Sequence, residues 1–320
     1  MIAKCCAAVS FILLCPGAVA QNWPAKPIRF IVPFAAAGST DLVARVIAER
    51  LSVALGQQII VDNRSGGNGV IGTGIAAKAA ADGYSYVVVF DSHATNPSLQ
   101  KHIAFDTRRD FAPIMLIATS PMSLVVNPAT PYRSLGDLIA AAKARPGDLI
   151  LGSGGIGSRG HLAVALLESK AGFKITQVPY KGTAQITNDL LAGHITMQMG
   201  TVFFVSPYVK AQRLRALAVT AARRVSQMPE VPTVAEQGYP GYEVHSWWGI
   251  LAPAGIPTPI RSRMHAELAR VLAAADVQER LANLGLSVRA SAPAEFARFI
   301  ETEMEFWGKV VRDSRISVTE

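Results

Sequence analysis

Cysteine is absent from this chain after its first twenty residues. The three cysteines are Cys5, Cys6 and Cys15. Beyond them the sequence excludes disulfide bonds, thiolate zinc sites and thiol nucleophiles. Any chemistry in the rest of the chain must therefore use oxygen, nitrogen and backbone groups.

A second absence is any apolar run long enough to cross a membrane, for which about 20 residues are needed. The apolar run at 7–14 is short, follows the basic Lys4 and precedes the small residues Ala18 and Ala20. This order predicts a secretory signal peptide over residues 1–20 and a mature protein that begins at Gln21. We therefore expect export to the periplasm.

A lipid anchor at Cys15 is the alternative use of the same segment. Leu14 stands where such a site requires glycine, alanine or serine, so free export is the favoured interpretation. Neither ATP nor NAD is available outside the cytoplasmic membrane. We therefore expect the protein to use no cofactor.

Long basic runs are also absent, although the chain carries 31 Lys and Arg against 23 Asp and Glu, a net charge of +8. The densest basic segment, 210–224, is interpreted as a solvated rim around a strand at 214–219. The sequence lacks the basic and aromatic strings typical of nucleic-acid binding. We expect no nucleic-acid partner and favour a small anion.

The remaining sequence alternates short β-rich runs with amphipathic helical stretches, which predicts an α/β fold. Two such units predict two lobes, each a mostly parallel sheet flanked by helices. The first unit has predicted strands at 28–33, 58–62 and 84–90, and helices at 40–55 and 70–80. The second has predicted strands at 123–126 and 149–152, and helices at 134–143 and from about residue 158.

The lobes are expected to be interleaved rather than strung in series. Apolar runs at 111–126 and 242–251 are long enough to carry the chain from one lobe to the other and back. The predicted boundaries are 21–118 plus 248–320 for lobe one and 119–247 for lobe two.

Two small-residue loops carry the main chemical signal, and each follows a strand and precedes a helix. Loop one is residues 33–41 and loop two is residues 153–161. Small residues let a ligand approach the backbone, and a helix N-terminus offers free N–H groups and a partial positive charge. The loops therefore predict an anion site. The alternative is ordinary turns in which Ser39, Thr40 and Ser158 cap the helices.

Other chemistries fit the same residues poorly. Loop two matches a dinucleotide fingerprint at its glycines, but the segment at 176–178 lacks the acidic residue that a ribose requires. A hydrolase nucleophile elbow needs glycine two residues before Ser158, where the chain has Ile156. No phosphate-binding loop of the nucleotide-hydrolase type occurs.

The six histidines are His93, His102, His161, His194, His245 and His265, and none are paired at metal-ligand spacing. We therefore predict no metal site. His161 either donates to an anion from loop two or satisfies nearby backbone. His93 follows a predicted strand and is a further candidate for the site.

The motifs together resemble the solute-binding receptors of the tripartite tricarboxylate transporter family, often called Bug receptors. The matching segments are WPAKPIR at 23–29, PF at 33–34, GSTD at 38–41, VDNR at 61–64, DGY at 82–84, NPSL at 96–99, DFAP at 110–113, SGGIGSRGH at 153–161, VPYKG at 178–182, LAVT at 217–220, VPTVAE at 231–236, WG at 248–249 and APAG at 252–255. They extend over nearly the whole predicted mature chain.

The resemblance implies a two-lobed, type II-like periplasmic binding protein without enzymatic activity. Such a receptor closes on a small organic carboxylate and delivers it to integral membrane permease subunits, and we expect it to act as a monomer. The residues that the resemblance places at the ligand are Phe34, Ala37, Gly38, Ser39, Thr40, Asp41, Ser153, Gly157, Ser158 and His161.

Two residues depart from the family pattern. Ala37 stands where the family usually has the first glycine of a pair, and alanine disfavours the positive φ that glycine allows. Arg159 replaces a small polar residue. Its charge either meets the distal end of the ligand or faces solvent on the outer side of the loop.

Two other classes of function remain open at this point. A sensor that feeds a membrane kinase would bind its ligand in the same way, and only its partners would distinguish it. An exported hydrolase would need a nucleophile with a base and an orienting group, and would turn over generic esters.

The signal-peptide assignment predicts cleavage after Ala20. The intact mass of protein recovered from the periplasm should match a chain that begins at Gln21. A lipid-modified chain that begins at Cys15 would contradict free export.

Overall fold

The computed structural model describes residues 23–100, 102–180 and 182–317. The predicted signal peptide and its cleavage site lie outside the described residues and stay a prediction. Among the helices of the described residues, none is both long enough and apolar enough to span a bilayer.

The first α/β unit forms as the apolar pattern predicts. Its elements are β1 (Ile28–Val32), α1 (Ser39–Leu55), β2 (Ile59–Asn63), α2 (Val70–Ala77), β3 (Ser85–Phe90) and α3 (Ser92–Leu99). Strand β1 is flanked by β2 and β3, both parallel to it. Helix α1 buries Val43, Ile47 and Leu51 at helical spacing and ends at Gly56, whose φ of 65° is left-handed.

The second unit repeats this arrangement around β5. Its elements are β4 (Phe111–Val126), α4 (Leu135–Ala144), β5 (Ile150–Ser153), α5 (Arg159–Ala171), β6 (Thr176–Pro179), α6 (Thr183–Ala192), β7 (Met197–Thr201), α7 (Val202–Lys210) and β8 (Arg215–Val219). Strand β5 lies between β6 and β7 and is parallel to both.

Two antiparallel strands connect the units. β9 (His245–Pro253) pairs with β3 on one side and with β4 on the other. β4 then continues to pair with β7 and β8 of the second unit. The strand predicted at 123–126 is thus only the end of β4, which is 16 residues long. The main path of the sheet runs β2-β1-β3-β9-β4-β7-β5-β6.

The C-terminal elements are α8 (Thr258–Ala273), α9 (Ala275–Asn283), β10 (Ser287–Val288) and α10 (Pro293–Asp313). Helix α10 contributes to two apolar cores. Phe296 and Ile300 pack with Val87 of β3, whereas Trp307 and Val310 pack in the core of the second unit.

At about 1.5 Å per residue, a helix of 21 residues is long enough to contact both units. The predicted lobe boundaries, 21–118 plus 248–320 for lobe one and 119–247 for lobe two, stay a prediction.

Candidate ligand-binding site

Both loops lie at the carboxyl ends of parallel strands. Loop one connects β1 to α1, and loop two connects β5 to α5. Ligands of open α/β sheets bind outside this edge, where the chain turns into helices. The two units also touch here, because a Cβ added to Gly157 of loop two would lie 2.1 Å from Cδ1 of Leu99 in α3.

Loop one is built around the carboxylate of Asp41, whose side chain is only 3% exposed. It accepts hydrogen bonds from the Ala37 amide at 2.9 Å, from Arg45 Nε at 2.9 Å and from Asn63 Nδ2 at 3.0 Å. Burial alone would raise the pKa of Asp41, but these hydrogen bonds outweigh it and hold the pKa below its ordinary value. Asp41 therefore stabilises the loop as an ionised group.

Ala37 adopts the left-handed conformation, with φ of 62°. The expectation that alanine would avoid a positive φ here is wrong. The conformation costs alanine roughly 1–2 kcal/mol. The hydrogen bond from its amide to Asp41 holds the strained turn in place.

The capping alternative is also wrong for the hydroxyls of loop one. Gly38, not a serine or threonine, occupies the N-cap position of α1, and no side chain caps this helix. Ser39 is half-buried and Thr40 is buried, both in the first turn of the helix. The free N–H groups of that turn are therefore left for another acceptor.

A third loop, which sequence reasoning missed, lies against loop one. Gly66, Gly67, Asn68 and Gly69 have φ values of 137°, 58°, 53° and 94°. A Cβ at Gly69 would lie 3.1 Å from the ring of Phe34, which is half-buried, and 3.5 Å from Ser92 Oγ. The signal available in the sequence was the run of glycines directly after the second strand.

Loop two offers an unusual hydroxyl. Ser158 occupies the N-cap position of α5, but its side chain makes no capping hydrogen bond. Its Oγ is buried and has no hydrogen-bond partner among the described residues. Ser153, by contrast, is committed within the loop region, since its hydroxyl donates to Gly155 O and accepts from Gln177.

His161 accepts a hydrogen bond from the backbone with one ring nitrogen and keeps the other available as a donor. Its Nδ1 accepts a hydrogen bond from the Gly157 amide at 3.1 Å. Burial lowers the pKa of His161 to about 4, so the ring is neutral at pH 7. With Nδ1 accepting, the proton of the neutral ring lies on Nε2, which can donate to a ligand.

His93 lies in a different environment. Its ring is 3% exposed and packs against Phe105 and Phe111, with centroid separations of 6.1 and 5.3 Å. Burial lowers the pKa of His93 to about 3, and neither ring nitrogen has a hydrogen-bond partner among the described residues. Its contact with a ligand stays a prediction.

Arg159 does not face solvent, so that interpretation is wrong. The residue is 3% exposed. Its Nη2 lies 2.7 Å from Glu303 Oε2, and its Nε lies 3.4 Å from Asp91 Oδ2. Sequence reasoning missed both carboxylates, which lie 68 and 144 residues away along the chain. Its other predicted role, at the distal end of the ligand, stays a prediction.

The strain at Ala37 yields a stability prediction. Glycine relieves the left-handed strain but adds entropy to the unfolded chain, so Ala37→Gly should raise the free energy of unfolding by about 0.5–1 kcal/mol. Urea denaturation measures the change. The neighbouring Ala36, also exposed and without a positive φ, is the control. Ala36→Gly should lower stability, and equal effects of the two substitutions would contradict the assigned strain.

A family model and a relative of known sequence both match most of this chain. A family model described as "Tripartite tricarboxylate transporter family receptor" matches residues 43–316. The protein BugT of Bordetella pertussis is 36% identical over 297 residues, which cover 92% of this chain and 91% of BugT.

Solved structures extend the likeness to three dimensions. Rpa4515 of R. palustris, solved with adipate, has a TM-score of 0.87 and 36% identity over 93% of this chain and all of that one. The periplasmic binding protein BugD has a TM-score of 0.84 and 32% identity over 92% of this chain and all of its own. MatC of Rhodopseudomonas palustris, with bound malate, has a TM-score of 0.83 and 30% identity over 90% of this chain and all of its own.

The fold is thus the two-lobed α/β fold of periplasmic binding proteins, and a family model and a relative agree over most of the sequence. The chain belongs to the tripartite tricarboxylate transporter family of solute-binding receptors.

Proposed function

We propose that this protein is a periplasmic receptor that binds a small organic carboxylate between its two lobes and delivers it to a membrane permease without chemical conversion. The observation that carries the proposal is the hydroxyl of Ser158, which is buried without a partner at the start of α5. A buried hydroxyl without a hydrogen bond costs about 1–3 kcal/mol. A carboxylate oxygen would satisfy it.

The proposed site would attract an anion through hydrogen-bond donors and helix N-termini rather than through an unpaired positive side chain. Two helix N-termini, of α1 and α5, each contribute a partial positive charge of about one half. Ser158 and the Nε2–H of His161 add side-chain donors. The positive charges of Arg45 and Arg159 are paired with protein carboxylates.

The relatives favour a dicarboxylate as the ligand class. Rpa4515 was solved with adipate and MatC with malate, and each of these acids carries two carboxyl groups. Two loops in two lobes give such a ligand one helix N-terminus for each end.

A thermal-shift panel of mono-, di- and tricarboxylates, aromatic acids and amino acids tests this function. A ligand present at about 100 times its Kd adds about 2.7 kcal/mol to the free energy of unfolding. We expect adipate, malate or a related dicarboxylate to give the largest shift. Stabilisation by none of the carboxylates would contradict the proposal.

Two alternative functions make different predictions. A hydrolase needs a base hydrogen-bonded to its nucleophile, whereas Ser158 Oγ has no such partner among the described residues. A sensor for a membrane kinase would give the same shifts in the panel. Crosslinking in membranes, followed by identification of the captured partner, would separate a kinase from a permease.

The role of Ser158 predicts a selective loss of affinity. Ser158→Ala should weaken adipate binding about 10- to 150-fold, the effect of one hydrogen bond to a charged group, about 1.5–3 kcal/mol. Stability should not fall, because the substitution removes an unsatisfied hydroxyl. Calorimetry and thermal unfolding measure the two effects.

Ser134 is the matched control, since it is also an N-cap serine of lobe two. Its hydroxyl does cap, accepting from the Asp137 amide at 3.1 Å. Ser134→Ala should therefore cost about 0.5–2 kcal/mol of stability and leave adipate affinity unchanged. The same pattern of effects in both variants would contradict the role of Ser158.

Closure of the lobes gives a second prediction. The sequence predicts a hinge where the chain crosses between lobes, at residues 118–123 and 245–249. These two segments lie side by side, with Ala118 of β4 opposite Trp248 of β9 and Pro121 opposite His245. Bending at this pair moves the lobes about one line. Saturating adipate should reduce the radius of gyration in small-angle scattering and alter the emission of the buried Trp247 and Trp248. An unchanged radius and unchanged emission would favour a rigid, preformed site.

A further inference from the structure

At the start of the helix that follows loop two, three ionic side chains from different parts of the chain lie in contact with one another. We call Asp91, Arg159 and Glu303 the buried ion cluster. Asp91 lies between β3 and α3, Arg159 is the first residue of α5, and Glu303 lies on the bridging helix α10. The side chains of Asp91 and Arg159 are 3% and 2% exposed, and that of Glu303 is 19% exposed.

Two tryptophans complete the surroundings of the guanidinium. Arg159 Cζ lies 4.3 Å from the ring centroid of Trp307 on α10. Trp247, on the crossing strand β9, donates from Nε1 to the same Glu303 Oε2 that accepts from Arg159, at 2.8 Å. The cluster therefore touches both lobes, the bridging helix and one crossing strand.

The ion pairs of Arg159 fix the position of the first turn of α5. A buried ion without a counter-ion is strongly destabilising, so Arg159 is stable here only while its carboxylates stay beside it. Ser158, the unpartnered donor of loop two, is the adjacent residue. We propose that Arg159 is a positioning residue, which through Asp91 and Glu303 holds the start of α5 and the Ser158 hydroxyl in place against lobe one.

The proposal rests on the proposed binding function and predicts a pH dependence. Burial raises the pKa of Asp91 to about 6, while Arg159 and the Ser246 hydroxyl of β9 lower it and Glu303 raises it further. His93, two residues along α3, stays neutral because burial lowers its pKa to about 3. Of Asp91 and His93, it is therefore Asp91 that changes charge between pH 5 and 7.5.

The sign follows from the charges. We expect opening of the lobes to expose Asp91 to water and to return its pKa towards the ordinary value of 3.8, so that closing takes up a proton between these pKa values. With Asp91 protonated, one guanidinium faces one carboxylate and the cluster is neutral. With Asp91 ionised, the buried cluster carries a net negative charge. Lower pH therefore favours the closed arrangement.

Asp91→Asn, which keeps the neutral form at every pH, tests this inference. Adipate affinity is measured by calorimetry for the variant and the wild type at pH 7.5 and 5.0. Adipate ionises equally in both samples, so the ratio of affinities isolates Asp91. Because the open form of the wild type is ionised at both values of pH, we expect the variant to bind more tightly at both, with an advantage about tenfold larger at pH 7.5 than at pH 5.0.

Asp148 is the matched control. It also pairs with an arginine, Arg145, at 3.4 Å, but its side chain is 55% exposed. Asp148→Asn should bind as the wild type does at both values of pH. Equal adipate affinities of Asp91→Asn and the wild type at both values of pH would overturn the proposal.

A second variant tests the guanidinium directly. Arg159→Met alone would leave the buried Asp91 without its counter-ion and Glu303 with the Trp247 hydrogen bond but no cation, and can prevent folding, so it is combined with Asp91→Asn. The double variant should bind adipate at least about tenfold more weakly than Asp91→Asn at both values of pH. Equal affinity of the single and double variants would overturn the positioning role.

A measurement without ligand separates this inference from the proposed function. Trp307 stacks on Arg159 and Trp247 binds Glu303. Protonation of Asp91 shifts the ligand-free protein towards the closed arrangement between the two pKa values, so tryptophan emission should change between about pH 6 and about pH 4 in the wild type and not in Asp91→Asn. If no carboxylate binds but the two proteins still differ in the pH dependence of their emission, only the proposed function is refuted. Identical emission profiles for the two proteins would refute the cluster.

Discussion

The antiparallel pairing of β4 with β9 is the constraint on which the rest of the structure depends. The pairing runs from Phe111 opposite Pro253 to Pro121 opposite His245. It connects the two parallel units through one continuous sheet. Because β9 also pairs with β3, and β4 also pairs with β7, each unit hydrogen-bonds directly to one crossing strand. The hinge proposed above lies in the same pair of strands.

Charge is distributed so that the loops contain no uncommitted carboxylate. Asp41 is an acid at the centre of the proposed anion site, yet three hydrogen bonds engage its oxygens and hold it within loop one. Asp91 and Glu303 form ion pairs with Arg159. In the proposed site a carboxylate ligand would thus meet donors rather than like charge. Selectivity would come from the geometry of neutral donors more than from a free cation.

Local patterns were sufficient to predict most of the fold. The helix at 40–55 and the strands at 28–33 and 84–90 agree with α1, β1 and β3 to within one residue at each end. The reason is that apolar spacing and glycine stops act over short stretches of chain. The placement of the two loops follows from the same signals, because a parallel strand followed by a helix fixes the edge at which its loop lies.

The parts that could not be predicted depend on distant contacts or on conflicts with local preference. Ala37 has a positive φ against its own propensity because Asp41 binds its amide. Helix α10 shares two cores because its length exceeds what one core requires, which no periodicity reveals. The charge of Arg159 was visible, but its partners lie 68 and 144 residues away, so its burial could not be inferred from spacing.

Ser158 links these observations to binding. A chain selected for stability alone would have capped α5 with this hydroxyl, as Ser134 caps α4. Instead the hydroxyl is left unsatisfied beside an arginine that forms ion pairs with two protein carboxylates. In the proposed site the ion pairs would supply the rigidity that the missing cap does not, and the free energy lost at the unpaired donor would be regained when a ligand satisfies it. Stability lost in the empty receptor would thereby be converted into affinity for an anion.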